Sequence, residues 1–151
     1  ADLGVGDGNQ LKLLNVGEGY TGYDVSPTIL NRCKDLFPEK TFEFMSNLKT
    51  GYDLSISCDV LYHLIDQEVY EKYIDDLFRC SDRFVIIYAR NEDKRLADHV
   101  LFRKFTDYIE NKYTDWKLIK HVRNEFPQLK LGQNNDRTSP SDFYIYANEK
   151  H

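Results

Sequence analysis

The sequence lacks clustered basic residues and long apolar runs. Its 20 Lys and Arg residues stand against 25 Asp and Glu, giving a formal charge of −5, and no basic tract exceeds two residues. We therefore expect no nucleic-acid partner, because a phosphate footprint needs clustered cations. No apolar run approaches the ~20 residues of a membrane-spanning helix, so we expect no membrane partner.

Cysteine is also scarce. The three thiols, Cys33, Cys58 and Cys80, are odd in number and share no C-x-x-C spacing. This pattern argues against a disulfide framework and against a zinc site, so we expect no metal. It favours reduced thiols and predicts a cytoplasmic protein.

The chain is long enough and hydrophobic enough to form a core. It contains 151 residues, of which 41% are hydrophobic and 14% aromatic. That length and composition predict one domain spanning residues 1–151. Because the first motif begins at Asp2, we expect residues of the same domain upstream of Ala1.

Apolar periodicity predicts alternating strands and helices. The predicted strands are Tyr20–Asp24, Thr41–Met45, Tyr52–Cys58, Arg83–Ala89, Trp116–Val122 and Asp142–Ala147, and the predicted helices are a short Asn9–Leu14, then Thr28–Phe37, Gln67–Phe78 and about Leu96–Lys112. A polar loop, 132–141, separates the last two strands. This order predicts an α/β fold with a doubly wound, mostly parallel sheet, helices on both faces and a C-terminal antiparallel hairpin.

Three glycines alternate in the opening segment, DLGVGDG, at Gly4, Gly6 and Gly8. In a doubly wound sheet the turn after the first strand lies at the carboxyl edge, where ligands bind. Alternate glycines there indicate backbone that a ligand approaches closely, although a tight turn without a ligand is the alternative. A dinucleotide fingerprint would place the third glycine three residues after the second, and here it comes after two.

Two later segments of the sequence belong to the same pattern as this glycine motif. GYD ends the predicted second strand at Asp24, and YDLSISCDVLYHL covers the predicted fourth strand and the residues after it. Together with the C-terminal hairpin, these segments resemble the class I S-adenosylmethionine-dependent methyltransferases over nearly the whole chain. The sequence departs from that family at Val5, where a small residue is usual, and in its short first helix.

The resemblance implies a Rossmann-like transferase with S-adenosylmethionine as cofactor. It implies cofactor contacts at Asp2, Gly4, Gly6, Gly8, Asp24, Val25, Asn47, Ser57 and Cys58. A carboxylate at Asp24 can accept from two vicinal ribose hydroxyls at once. Alternatively, Asp24 is only an acid at the start of the helix that Ser26 and Pro27 open.

The resemblance also places His63 towards the transferred methyl group. Imidazole titrates near neutrality, so His63 is our candidate general base, and a structural histidine at a helix start is the alternative. The candidate acceptor-binding residues are Asp59, Tyr62, Arg90, His99 and Arg103. His99 and Arg103 are predicted to share a helix face, which would suit an acidic acceptor or would simply meet solvent.

We therefore expect a methyltransferase acting on a small-molecule, sugar-like or acidic acceptor. A nicotinamide-binding oxidoreductase is a second hypothesis, but the sequence lacks its glycine spacing. A non-catalytic subunit with the same fold is a third, because a fold does not establish turnover.

Overall fold

The computed structural model describes residues 1–128 and 138–150. Their strands are β1 (Asp2–Leu3), β2 (Thr21–Asp24), β3 (Thr41–Phe44), β4 (Tyr52–Cys58), β5 (Ser81–Ala89), β6 (Lys94–Ala97), β7 (Val100–Phe102), β8 (Trp116–Val122) and β9 (Asp142–Asn148). Their α-helices are α1 (Pro27–Leu36), α2 (Gln67–Arg79) and α3 (Phe105–Lys112), and single 3₁₀ turns cover Leu11–Leu13, Met45–Asn47 and Leu61–His63. Most of the predicted polar loop, 132–141, lies outside the described residues.

Seven strands form one sheet in the order β3-β2-β1-β4-β5-β9-β8. The first five are parallel, and β9 runs antiparallel to both β5 and β8. The predicted fold class, a doubly wound sheet with a C-terminal antiparallel hairpin, is confirmed. The strand order reverses between β1 and β4, so the crevice expected of such sheets opens at their carboxyl ends.

The helices cover both faces of the sheet. On one face, Leu30 and Cys33 of α1 pack with Phe42 of β3. On the other, α2 and α3 pack with Val85 and Ile87 of β5. The start of α1 follows its sequence signals, because the Ser26 hydroxyl caps the Ile29 amide at 3.4 Å and a proline occupies the first turn.

The predicted helix over Leu96–Lys112 is wrong in its first half. Residues 94–102 form the β6–β7 hairpin, and α3 begins only at Phe105. Long-range contacts favour the hairpin, since the buried Phe102 ring packs 5.5 Å from the Tyr62 ring. The Asp93 carboxylate also accepts from the Lys104 amide at 2.9 Å, which fixes the end of the hairpin.

Three finer predictions also need correction. The helix predicted over Asn9–Leu14 is only the Leu11–Leu13 turn. The apolar spacing of α2 predicts that Val69 lies on its buried face with Tyr70, Tyr73, Ile74 and Leu77, yet Val69 is 52% exposed. The apolar run of β5 predicts burial on both faces, yet Ile86 on its second face is only half-buried. Of the helices described, none has both the length and the apolar character needed to cross a membrane.

Candidate functional site

A cavity of about 730 Å³ lies at the carboxyl ends of β1, β2 and β4. This volume is in the range of small-molecule sites. The cavity, here called the edge cavity, brings together eight of the predicted site residues: Gly4, Gly6, Asp24, Val25, Cys58, Asp59, Tyr62 and His63. Separate segments of the chain therefore converge on one space.

The glycine turn is held by backbone contacts. The amides of Gly4 and Val5 both donate to the Tyr23 carbonyl, at 2.8 and 3.0 Å. Gly4 and Gly6 have φ values of +75° and +58°, a region that favours glycine. A Cβ on Gly4 would lie 2.5 Å from the Val60 side chain, whereas a Cβ on Gly6 would meet no atom closer than 3.9 Å. Gly4 is thus required by packing, and Gly6 leaves open space on the cavity side.

Asp24 connects this turn to the end of β2. One carboxylate oxygen accepts from the Gly6 amide at 3.2 Å, and the other accepts from the Ser26 amide at 2.9 Å. A carboxylate offers about four acceptor positions, so each oxygen keeps one free. Asp24 therefore fixes the glycine turn and the start of α1, and it can still accept from a ligand in the edge cavity.

The end of β4 has an unusual backbone at Asp59. Its φ of +58° is the only positive value among non-glycine residues in the described ranges. The Asp59 amide donates to the Tyr88 carbonyl at 2.9 Å, and its carboxylate accepts from the Ser141 hydroxyl at 2.8 Å. Burial raises the pKa of Asp59, while Ser141 and the nearby His63 oppose that rise. Such backbone strain is common at functional sites.

His63 lies in the 3₁₀ turn that follows Asp59. Its ring is exposed, lines the edge cavity and lies 4.4 Å from the ring of Tyr62. Burial raises the pKa of Tyr62 to about 12, so this phenol is neutral at physiological pH. The turn therefore presents one imidazole, one neutral phenol and the Asp59 carboxyl group to the same space.

Cys58 also lines the edge cavity, next to Asp59. Burial raises the pKa of its thiol to about 12, so the thiol is protonated and is a poor nucleophile. Within residues 1–128 and 138–150, no cluster of three or more His, Cys, Asp or Glu side chains is placed to hold a metal ion.

Four predicted cofactor residues do not line this cavity: Asp2, Gly8, Asn47 and Ser57. Asp2 is buried and accepts from the Tyr20 hydroxyl at 2.7 Å, and burial raises the pKa of Asp2 to about 6. Ser57 shares a hydrogen bond of 2.8 Å with the Tyr73 hydroxyl. Asn47 donates to Glu43 at 3.4 Å, and Gly8 packs against Phe37.

Three predicted acceptor residues also lie elsewhere. Arg90 pairs with Glu92 at 2.8 Å, and His99 is exposed in the turn between β6 and β7. Arg103 donates to the carbonyls of Leu64 and Ile65, each at 2.7 Å. His99 and Arg103 do not share a helix face, because the segment that holds both is not a helix.

Sequence reasoning missed several residues that line the edge cavity, among them Asp7, Gln10, Met45 and Ser46. Asp7 and Gln10 belong to the glycine segment itself. Met45 and Ser46 follow β3 directly, where the carboxyl-edge rule places ligand contacts. That rule, applied to every parallel strand, would have favoured Met45 and Ser46 over Asn47.

No family model matches the sequence, and no curated protein matches it. Solved structures do match. Magnesium protoporphyrin IX methyltransferase from Synechocystis PCC 6803, with bound SAH, is similar at a TM-score of 0.71 and 19% identity, over 97% of this chain and 72% of that chain. N-methyltransferase NodS from Bradyrhizobium japonicum WM9 is similar at a TM-score of 0.70 and 19% identity, over 97% of this chain and 83% of that chain.

The methyltransferase domain of bacterial CtHen1 is similar at a TM-score of 0.69 and 21% identity, over 97% of this chain and 88% of that chain. At such identities the likeness concerns the fold. It extends over almost the full length of the chain in all three cases, and it includes the parallel strands and the antiparallel hairpin described above. The chain therefore has the fold of the class I S-adenosylmethionine-dependent methyltransferases.

Proposed function

We propose that the protein is an S-adenosylmethionine-dependent methyltransferase with a small-molecule acceptor. One observation carries this proposal: the glycine turn, the Asp24 carboxylate and the Asp59–His63 segment line a single cavity. The names of the three structures compared above support it, since each is a methyltransferase and one was solved with bound SAH.

The edge cavity fits this cofactor chemically. S-adenosylmethionine carries no phosphate, and the turn offers bare backbone at Gly6 in place of an anion site. The free acceptor positions of Asp24 suit the two ribose hydroxyls. Val25, which is 78% exposed, and the half-buried Met45 add apolar surface that an adenine ring can cover.

When bound, the cofactor supplies a methyl group that is already strongly electrophilic. The protein then needs to align the acceptor and, where the acceptor must lose a proton, to accept that proton. His63 is exposed to the cavity and takes this role in our proposal. Asp59 and Tyr62 flank it and would position the acceptor.

The residues that line the edge cavity also bear on the size and charge of the acceptor. Because the edge cavity has to hold both cofactor and acceptor groups, a small molecule fits better than a macromolecule. Since Arg90, His99 and Arg103 lie outside this cavity, its lining gives more support to a neutral, hydroxyl-rich acceptor of the sugar type than to an acidic one.

Transfer of a tritiated methyl group to a fractionated metabolite extract tests this proposal. We expect labelled product with the wild-type protein and none with a Gly6→Val variant, with Gly17→Val as the matched control. A Cβ on Gly17 would meet no atom within 4 Å, and its φ is not positive, so this control should retain activity. Cofactor binding without transfer to any fraction would instead favour a non-catalytic subunit.

A further inference from the structure

The short strand β1 carries the glycine turn, and backbone pairing holds its two sides unequally. Towards β2, both of its residues are paired, Asp2 with Gly22 and Leu3 with Tyr23. Towards β4, the one register pair among the described residues is Asp2 with Ile56. Backbone pairing therefore holds Leu3, the end of β1, to β2 but not to β4.

A side chain of α2 connects the end of β1 to β4. The Tyr73 hydroxyl donates to the Leu3 carbonyl at 2.6 Å and lies 2.8 Å from the Ser57 hydroxyl of β4. A phenol has one proton and a carbonyl oxygen can only accept, so the Tyr73 proton goes to Leu3, and Ser57 donates to Tyr73. Two hydrogen bonds thus run in sequence from β4 through α2 to β1.

The three residues of this connection are buried. Leu3 and Ser57 are fully closed to solvent, and Tyr73 is 8% exposed. Burial raises the pKa of Tyr73, so the phenol keeps the proton that it donates. A buried hydroxyl or carbonyl that loses its partner cannot exchange it for water, so both hydrogen bonds are costly to break.

The position of this end of β1 affects the shape of the edge cavity. Gly4 follows Leu3 directly, and a Cβ on Gly4 would lie 2.5 Å from the Val60 side chain, so the glycine turn packs closely on the segment after β4. Gly4, Asp59 and Val60 all line the edge cavity. A shift of β1 relative to β4 would therefore move the two sides of this cavity against each other.

We propose that Tyr73, together with its donor Ser57, is a positioning residue that sets the place of the glycine turn relative to the end of β4. The inference rests on the proposed function for its consequence, since the turn would hold the methyl donor and the segment after β4 would hold the acceptor. The resemblance implies that Ser57 contacts the cofactor. Because Ser57 is fully buried and does not line the edge cavity, it acts through Tyr73 instead.

Ser57→Ala tests this role, with Ser55→Ala as the matched control. Both serines are fully buried in β4 and share a face of the sheet, but the Ser55 hydroxyl donates to the Leu77 carbonyl, at 2.7 Å, and not to Tyr73. Each variant loses one buried hydrogen bond, so we expect similar losses of folding stability. Neither serine lines the edge cavity, so neither variant changes a surface that a ligand there would contact. Tyr73→Phe, which removes both hydrogen bonds of the connection, is the stronger variant.

The position of the glycine turn is read from its amide resonances in proton–nitrogen correlation spectra of the whole protein, without added cofactor. We expect the Gly4 and Gly6 resonances to shift in Ser57→Ala and to shift further in Tyr73→Phe. In Ser55→Ala they should stay at their wild-type positions. A general loss of stability would not separate the two serine variants in this way.

Calorimetry with S-adenosylhomocysteine measures the consequence for binding, at a temperature where thermal unfolding shows each variant to be folded. We expect the affinity to fall about tenfold in Tyr73→Phe and about threefold in Ser57→Ala, and to stay within about twofold of wild type in Ser55→Ala.

The inference is overturned if Ser57→Ala and Ser55→Ala shift the Gly4 and Gly6 resonances equally, or if folded Tyr73→Phe leaves them unshifted. It is also overturned if folded Ser57→Ala and Tyr73→Phe bind S-adenosylhomocysteine as tightly as the Ser55→Ala control. If Tyr73→Phe does not fold, the comparison of the two serine variants decides. Wild-type protein that binds no S-adenosylhomocysteine would contradict the proposed function, and the amide resonances would still decide whether Tyr73 positions the turn.

Discussion

Two cavities of the protein are built from different parts of the chain. The edge cavity depends on backbone: two glycines with positive φ, two amides that donate to the Tyr23 carbonyl and a third, of Gly6, that donates to the Asp24 carboxylate. A cavity of about 500 Å³ between α2 and the β6–β7 hairpin is instead lined by side chains, among them the exposed Lys94 and Arg95. We expect single substitutions to destroy the edge cavity and to change the side-chain-lined cavity only gradually.

Gly6→Val should have the largest effect. A β-branched residue disfavours the φ of +58° and would fill the open space beside the turn. We expect S-adenosylhomocysteine binding to be lost in calorimetry, with the Gly17→Val control binding as the wild-type protein does. If the folded variant binds S-adenosylhomocysteine normally, the glycines serve the turn alone.

His63→Ala should lower the single-turnover rate by roughly 10²–10⁴-fold while cofactor affinity stays constant, since a general base acts on the acceptor. The pH–rate profile should lose one limb in this variant. His99→Ala, in an exposed turn, is the control. If that limb of the pH–rate profile persists in the His63 variant, His63 is not the general base.

Asp24→Ala should weaken S-adenosylhomocysteine binding by on the order of 2–4 kcal/mol, because two charge-assisted hydrogen bonds are lost. The variant also loses the hydrogen bond that the Gly6 amide donates to Asp24, so the glycine turn loses a backbone contact as well. Asp35→Ala, on the exposed side of α1, should bind normally. An affinity within twofold of wild type would exclude Asp24 from the site.

Asp2 should affect stability more than binding. Its pKa rises from 3.8 to about 6 on folding, so between these values the folded state holds a proton that the unfolded state has released. Stability therefore falls as pH rises from about 4 to 6, by on the order of 2–3 kcal/mol from this group.

Denaturant unfolding of Asp2→Asn across this pH range measures the effect. The variant should lose most of the slope and be more stable than wild type at pH 7, with Asp98→Asn as an exposed control. A smaller slope should remain, because the pKa of Asp59 is also raised. An unchanged slope would mean that Asp2 does not titrate as its burial implies.

Local signals made much of the fold and of the edge cavity predictable. The Ser26 cap, the proline after it and the alternate glycines act within a few residues, so the sequence alone indicates them. The β6–β7 hairpin was not predictable in this way. Leu96 and Val100 fit helical spacing, and the hairpin forms through contacts with Tyr62 and Asp93 that no local pattern reveals.

The hairpin also explains why two predicted acceptor residues, His99 and Arg103, lie outside the edge cavity. Asp59, Tyr62 and His63 follow β4 directly, so their position in the sequence is enough to place them at this cavity. The sequence pattern puts Arg103 on a helix face, whereas its guanidinium donates two hydrogen bonds to the carbonyls of Leu64 and Ile65. Tertiary packing, rather than residue type, decides which partners such a side chain contacts.

The most direct test of the account is calorimetry of the wild-type protein with S-adenosylhomocysteine and, separately, with a nicotinamide dinucleotide. The proposed methyltransferase function predicts binding of S-adenosylhomocysteine and no detectable binding of the dinucleotide, because the turn has the wrong glycine spacing for a pyrophosphate. Binding of the dinucleotide alone, or of neither ligand, would contradict it.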